Sequence, residues 1–269
     1  MRFPGALLAV SCFAALASTA AADNLAVVGT GDGIPVLQAL GKSFTAAHPQ
    51  TTILVPPSIH SSGGIRQVNS GEAVLGRIAR PLKGSELELG IRVTPVFRQP
   101  TAFFVHPTAG VTNLSAEQLT NIFTGSVTNW REVGGADHRV RVVRREEVDS
   151  SLAVLRDTLP GWKDLKFNED RSKLATTTQE AFQTVEEVPG AIGFGPYTPD
   201  LEKRFVVLRV DGIFPNDPRY PSAVTLFLIH RDATVTDRAL RFIDFIFTAE
   251  AQKVIRDNGA IPIASRQTM

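Results

Sequence analysis

Short apolar segments alternate with amphipathic segments along most of the chain, and this alternation restricts the fold more than any other feature of the sequence. The first apolar segment, Leu25–Val28, has the composition of a buried strand. The segment after it repeats apolar residues at helical spacing and places them on one face (Val36, Leu37, Leu40, Phe44). Strands that alternate with helices in this way predict an α/β fold with mixed sheets flanked by helices.

Two longer apolar segments predict where the chain passes between two lobes. The segment from Val93 to His106 is rich in strand-forming residues, and we expect Pro95 and Pro100 to break it at the entry to a second lobe. The apolar strand predicted at Ser222–Ile229 carries the chain back. We therefore expect a discontinuous first lobe, residues 23–97 and 222–269, and an inserted second lobe, residues 98–221.

Several helix starts are marked by capping residues. Ser115–Gln118 has the capping-box pattern, in which the serine hydroxyl and the glutamine side chain satisfy free backbone N–H groups, and Gly125 should end the helix that follows. Thr177–Glu180 has the same pattern, and Asp149 should open another helix.

The N-terminus has the three regions of a secretory signal peptide. Arg2 is followed by an apolar stretch, Phe3–Leu16, and then by small residues that end at Ala20–Ala22. The apolar stretch is too short to span a bilayer. We therefore predict a signal peptide at residues 1–22, cleavage before Asp23 and export of the mature chain.

The single cysteine, Cys12, lies inside the predicted signal peptide. The residues before it distantly resemble a lipobox, so a lipid anchor at Cys12 is an alternative to cleavage before Asp23. If cleavage occurs at Asp23, the mature chain has no cysteine and cannot use a disulfide, a thiolate nucleophile or a cysteine-based metal site.

Charge and histidine spacing argue against two classes of function. The sequence has 28 basic and 27 acidic residues, without the basic excess of a nucleic-acid-binding protein. Its five histidines have no metal-ligand spacing, and none accompanies a nucleophile motif. We expect no nucleic-acid partner, no metal, no cofactor and no catalytic residue.

Three turns that precede predicted helices are candidates for binding an anion. They are Gly29–Gly33, Ser61–Gly64 and the turn from Arg145 to Ser151. Turns of this kind expose free backbone N–H groups at the positive ends of helix dipoles. Any one of them alone is an ordinary turn, but all three in one cleft would bind a small oxyanion.

Five segments resemble the phosphate-binding proteins of bacterial ABC importers. Ser61–Val68 resembles the second anion-binding loop of that family, and Leu119–Trp130 resembles a helix and turn of its second lobe. Val142–Arg145 resembles the strand that carries its anion-binding arginine, and Pro189–Gly193 and Phe227–His230 match later segments. The resemblance implies a type II periplasmic-binding-protein fold with a ligand cleft between two lobes.

The resemblance also implies which residues meet the ligand. Arg145 matches the arginine that pairs with the anion, since a guanidinium can contact two oxygens at once. Glu147 matches an acidic residue that steadies this arginine in the family. The implied ligand-binding residues are Gly31, Asp32, Gly33, Ile34, Ser61, Ser62, Arg145, Asp149, Ser150 and Ser151.

Two positions depart from the family pattern and leave the ligand open. Ala79 stands where the family often has Asp or Ser, and Asp149 lies in a turn where the family has Gly, Ser and Thr. A carboxylate disfavours a nearby dianion. Asp149 either accepts a proton-bearing oxygen of monohydrogen phosphate, or it only caps the next helix through the N–H of Ser151 or Leu152. A third alternative is a ligand other than phosphate.

The sequence thus predicts a monomeric periplasmic solute-binding protein that captures phosphate or a related small oxyanion for an ABC importer, with the importer permease as its partner. One alternative is a ligand-sensing protein that reports a small anion to a membrane protein. A phosphatase-like enzyme with Ser61 or Asp149 as nucleophile is the other, although no base–nucleophile pair or metal cluster accompanies these residues.

Overall fold

The computed structural model describes residues 23–266. The predicted signal peptide and Cys12 lie outside the described residues. Seven α-helices lie within the described range, and they are α1 (Ile34–Ala47), α2 (His60–Ser70), α3 (Ala116–Phe123), α4 (Ser150–Thr158), α5 (Thr178–Glu187), α6 (Asp237–Phe245) and α7 (Ala249–Asp257).

The strands of residues 23–266 form one long mixed sheet and one small pair. They are β1 (Asp23–Gly29), β2 (Thr51–Leu54), β3 (Leu75–Ile78), β4 (Ile91–Val105), β5 (Asn113–Leu114), β6 (Arg141–Arg145), β7 (Ser172–Ala175), β8 (Ala191–Pro196), β9 (Val206–Val207), β10 (Arg209–Val210), β11 (Ala223–Arg231) and β12 (Ile261–Pro262). The order in the long sheet is β2-β1-β3-β11-β4-β8-β6-β7, with β9 and β12 also paired to β4.

Strand β4 connects two groups of strands. Its first part, Ile91–Pro100, pairs antiparallel with β11, and its last five residues pair antiparallel with β8. We call the part built on β1, β2, β3, β11 and the start of β4 the first lobe. The part built on β6, β7, β8 and the end of β4 is the second lobe. The residue boundaries at 97/98 and 221/222 remain predictions, and β4 changes partner three residues after the first of them.

The prediction that Pro95 and Pro100 break the strand is wrong, because β4 continues through both. Proline cannot donate a ladder hydrogen bond, so it is tolerated in a sheet at irregular positions. Pro95 lies at a register shift against β11, and Pro100 lies where β4 leaves β11 for β8. Both prolines therefore stand where the regular ladder is already interrupted.

Most predicted helix starts agree with the structure. Ser115 and Gln118 form the expected reciprocal capping box, and Asp149 caps α4. At α5 the prediction holds only in part, because Glu180 accepts from the N–H of Thr176 and not from that of Thr177. The predicted apolar face of α1 is buried. The two tryptophans, Trp130 and Trp162, are fully buried and pack in the core of the second lobe.

Candidate functional site

The first lobe contributes the turn between β1 and α1. Gly33 precedes α1 with φ of 70°, a left-handed conformation that favours glycine. A Cβ atom at this position would also lie 2.9 Å from the Phe97 ring. A side chain at position 33 therefore has little room, and the turn offers backbone N–H groups. No side chain caps α1, so its first N–H groups remain available.

The second predicted turn, Ser61–Gly64, is instead the first turn of α2, which begins at His60. The Ser61 hydroxyl accepts from the N–H of Ala79 at 3.2 Å, which leaves its own proton free to donate. A Cβ atom on Gly64 would lie 2.9 Å from the Cα of Gly29. The glycine thus lets α2 lie directly against the end of β1.

A fully buried arginine that the sequence analysis did not single out holds these turns together. Arg77 in β3 is 0 % exposed, and its guanidinium donates to the carbonyls of Thr30 (2.6 Å), Pro56 (2.7 Å) and Val27. Burial lowers the pKa of Arg77 to about 10, although the nearby Asp32 opposes that shift. The one signal in the sequence was a charged residue inside an apolar strand.

The second lobe contributes Arg145, the last residue of β6. Its side chain is only 8 % exposed, and Nη2 donates to Asp149 Oδ2 at 2.8 Å. Nη1 donates to Thr178 Oγ1 at 3.3 Å, at the start of α5. The other Asp149 oxygen accepts from the N–H of Leu152 at 3.0 Å. Asp149 therefore caps α4, and its carboxylate also forms an ion pair with Arg145, so its role is not limited to capping.

Burial is the main influence on the Asp149 carboxyl, and it raises the pKa above the ordinary value. The guanidinium of Arg145 and the N–H of Leu152 oppose this shift, whereas the negative charge of Asp32 adds to it. The Asp149 carboxyl thus lies near a guanidinium that favours its charged form and a carboxylate that disfavours it.

One hydrogen bond joins the lobes directly at this site. Asp32 Oδ2 accepts from Ser150 Oγ of α4 at 2.7 Å, and from Thr30 Oγ1 at 2.7 Å. Asp32 is nearly buried, whereas Gly31 is exposed. The turn before α1 and the N-terminus of α4 therefore face each other, as expected for two anion-binding turns on opposite sides of a cleft.

The structure brings the predicted site residues into two groups. Gly31–Ile34 meets the start of α4 through Asp32 and Ser150, while Ser61 and Ser62 lie at the start of α2 in the first lobe. Ser151 is buried and Ser62 is exposed. The expectation that Glu147 steadies Arg145 is wrong, because Glu147 pairs with Arg156 at 2.7 Å. Asp149 takes that role, four residues after Arg145 in the turn between β6 and α4.

Two features, a metal-binding cluster and a membrane-spanning helix, can be assessed for residues 23–266. No cluster of three or more His, Cys, Asp or Glu side chains suited to a metal ion occurs in this range. Within the same range, no helix combines the length and the apolar character needed to cross a bilayer.

Comparison with known proteins identifies the family. A family model described as a PBP superfamily domain matches residues 14–250, most of the chain. The chain belongs to the PBP superfamily. This membership confirms the resemblance inferred from the sequence.

Two relatives and one solved structure match between 69% and 90% of this chain. The phosphate-binding protein PstS of Bacillus subtilis is 25% identical over 258 residues, which cover 90% of this chain and 82% of the relative. PstS of Borreliella burgdorferi is 24% identical, over 69% of this chain and 71% of the relative.

A phosphate ABC transporter substrate-binding protein of Clostridium perfringens, described as putative and solved with bound phosphate, superposes with a TM-score of 0.73. That structure is 24% identical, and the match covers 90% of this chain and 100% of the other. The predicted two-lobed α/β fold is confirmed.

Proposed function

We propose that this protein is an extracytoplasmic solute-binding protein that captures phosphate, or a closely related tetrahedral oxyanion, between its two lobes for an ABC importer. The relatives described above are named phosphate-binding proteins, and the solved relative from Clostridium perfringens contains phosphate. A binding role also agrees with the superfamily to which the chain belongs.

The observation that carries the proposal is the nearly buried guanidinium of Arg145. It lies at the carboxyl end of β6, beside the N-terminus of α4, and α4 in turn contacts the first lobe through Ser150 and Asp32. A guanidinium and the N–H groups of a helix N-terminus are complementary to a small oxyanion. An anion bound at this point would have donors from both lobes within reach.

We assign the anion to the residues that the sequence analysis selected. Backbone N–H groups of residues 31–34 and the hydroxyls of Ser61 and Ser62 would donate from the first lobe. Arg145, Ser150 and Ser151 would donate from the second lobe. Because both lobes supply donors only when they are closed, the anion should stabilise the closed form.

The periplasm and a permease partner belong to the same proposal. The predicted signal peptide implies export, and the solved relative from Clostridium perfringens is described as a substrate-binding protein of a phosphate ABC transporter. We infer that the mature chain is a periplasmic monomer that docks on an importer permease.

A thermal-shift screen tests the proposal. Phosphate, arsenate, sulfate and phosphonates are added separately to the purified protein, and Arg145→Ala serves as the site-specific control. A ligand that binds only the folded state must raise the melting temperature, by an amount that grows with its concentration. The proposal predicts a shift with phosphate or arsenate that Arg145→Ala abolishes. No shift with any of these anions would reject it.

A further inference from the structure

Asp149 occupies the donors that an incoming oxyanion needs. One of its carboxylate oxygens accepts from Arg145 Nη2 at 2.8 Å, and the other accepts from the N–H of Leu152 at 3.0 Å. These are a guanidinium and a backbone N–H at a helix N-terminus, the two kinds of donor that bind phosphate groups. The side chain is only 13 % exposed, so the carboxylate lies inside the site.

The charged groups around Asp149 come from three directions. Arg145 faces it from β6, and Asp32 faces it from the turn before α1, with Arg77 close to Asp32 in β3. From α5, Thr178 contacts Arg145 with an uncharged hydroxyl. Glu147, in the same turn as Asp149, is directed to Arg156. Near Asp149, therefore, Arg145 is the cation that partners its carboxylate, and Asp32 is the negative charge that acts on it.

A bound anion would bring a further negative charge to this arrangement. Like charges disfavour the ionised form of a carboxyl, so an anion on Arg145 would favour the protonated form of Asp149. Burial already acts in the same direction and raises the pKa of Asp149 in the ligand-free protein. The complex would thus hold a proton on Asp149 more readily than the free protein does.

We propose that Asp149 is an internal competitor for the anion, which gives up Arg145 and takes up a proton when an oxyanion binds. The inference rests on the proposed function, since it requires the anion to meet Arg145. It makes Asp149 a residue that determines both which anions bind and how binding depends on pH. It also accounts for a carboxylate in a turn where the family has Gly, Ser and Thr.

The direction of the pH dependence follows from proton linkage. If the complex holds one more proton than the free protein, the affinity falls as pH rises, by about tenfold per pH unit between the two pKa values of Asp149. Phosphate itself changes its protonation near neutral pH, so its own titration must be separated from that of the protein. A variant without the carboxyl provides that separation.

The experiment compares three proteins by titration calorimetry with inorganic phosphate, from about pH 6 to about pH 8. A carboxyl with an ordinary pKa does not titrate in this range. They are the wild type, Asp149→Asn and Glu146→Gln. Asparagine is a good N-cap and keeps an oxygen for Leu152, so α4 should remain intact. Glu146 is an exposed carboxylate in the same turn, and its replacement removes the same charge without touching Arg145. Each titration is repeated in two buffers with different ionisation enthalpies to count the protons taken up.

The expected result is specific to Asp149. At about pH 8, Asp149→Asn should bind phosphate about tenfold more tightly than the wild type, because binding to the wild type requires a proton, and this requirement weakens binding about tenfold per pH unit. The wild type should take up close to one proton more per phosphate than Asp149→Asn, and Glu146→Gln should behave like the wild type. Sulfate, which has no proton to lose in this range, should show the same difference between the variants.

Two other results would overturn the inference and can be told apart. If the wild type and Asp149→Asn bind phosphate with the same pH dependence and the same proton count, Asp149 is not a competitor, although the proposed function stands. Asp149→Ser provides a second variant that can cap α4. If the wild type, Asp149→Asn and Asp149→Ser all melt cooperatively but none of them binds phosphate or sulfate, the proposed function fails and the inference fails with it.

Discussion

The substitution Arg77→Lys tests how the first lobe holds its two anion-facing turns. The guanidinium of Arg77 is fully buried and donates to three carbonyls on separate segments, those of Val27, Thr30 and Pro56. Lysine keeps the positive charge, but its ammonium is a compact group that lacks the planar fork of a guanidinium. We expect it to satisfy one of the three carbonyls and to leave two without a donor.

The expected loss follows from those two carbonyls. A buried polar group without a partner costs about 1–3 kcal/mol, so Arg77→Lys should lower the free energy of unfolding by about 2–6 kcal/mol. Arg92→Lys is the matched control, because Arg92 lies near the start of β4 in the same lobe and forms an exposed pair with Asp232. An exposed pair of that kind contributes about 0–1 kcal/mol.

Urea unfolding followed by far-ultraviolet circular dichroism is the appropriate measurement. Tryptophan fluorescence reports first on the second lobe, because Trp130 and Trp162 both pack in its core. A loss for Arg77→Lys no larger than that for Arg92→Lys would refute the role assigned to the guanidinium fork.

Three further predictions concern binding and processing. Arg145→Ala should weaken phosphate binding by about 2–5 kcal/mol, because it removes the charge partner of a buried anion. Arg145→Lys should recover part of this loss. If calorimetry finds the same affinity in both variants as in the wild type, Arg145 does not belong to the site. Asp32→Asn should weaken the contact between the lobes, because the hydrogen bond from Ser150 Oγ then meets a neutral acceptor. Small-angle scattering of the ligand-free variant should give a larger radius of gyration than the wild type, and an unchanged radius would mean that this bond does not hold the lobes together. Mass spectrometry of the exported protein should find an N-terminus at Asp23, whereas an acylated Cys12 would show the lipid anchor instead.

The sequence alone was sufficient for the family, the fold class and most helix starts. Capping residues such as Ser115 and Asp149 act on N–H groups two or three residues away, so a short window of sequence contains the whole interaction. The apolar face of α1 follows from the spacing of its residues for the same reason. The ten predicted site residues came from the family resemblance, and their role in binding remains a prediction.

Interactions between distant parts of the chain were beyond the sequence. The bond between Asp32 and Ser150 joins residues 118 positions apart, and the bonds of Arg77 reach 21 to 50 positions along the chain. The partner of Arg145 was also beyond the sequence, because the family resemblance implied Glu147 and gave Asp149 no such role. The structure selects Asp149, because α4 begins at Ser150 and its N-terminal N–H groups hold that carboxylate beside the guanidinium.

The sequence therefore determined what kinds of element form and where most of them begin, because those properties depend on neighbouring residues. Only the tertiary structure decided which charges meet in the cleft. That outcome depends on how strands and helices pack, since burial and the distances between charges together set the strength of each pairing. Asp149 belongs to both categories: its role as a cap was visible in the sequence, and its ion pair with Arg145 appeared only in the folded protein.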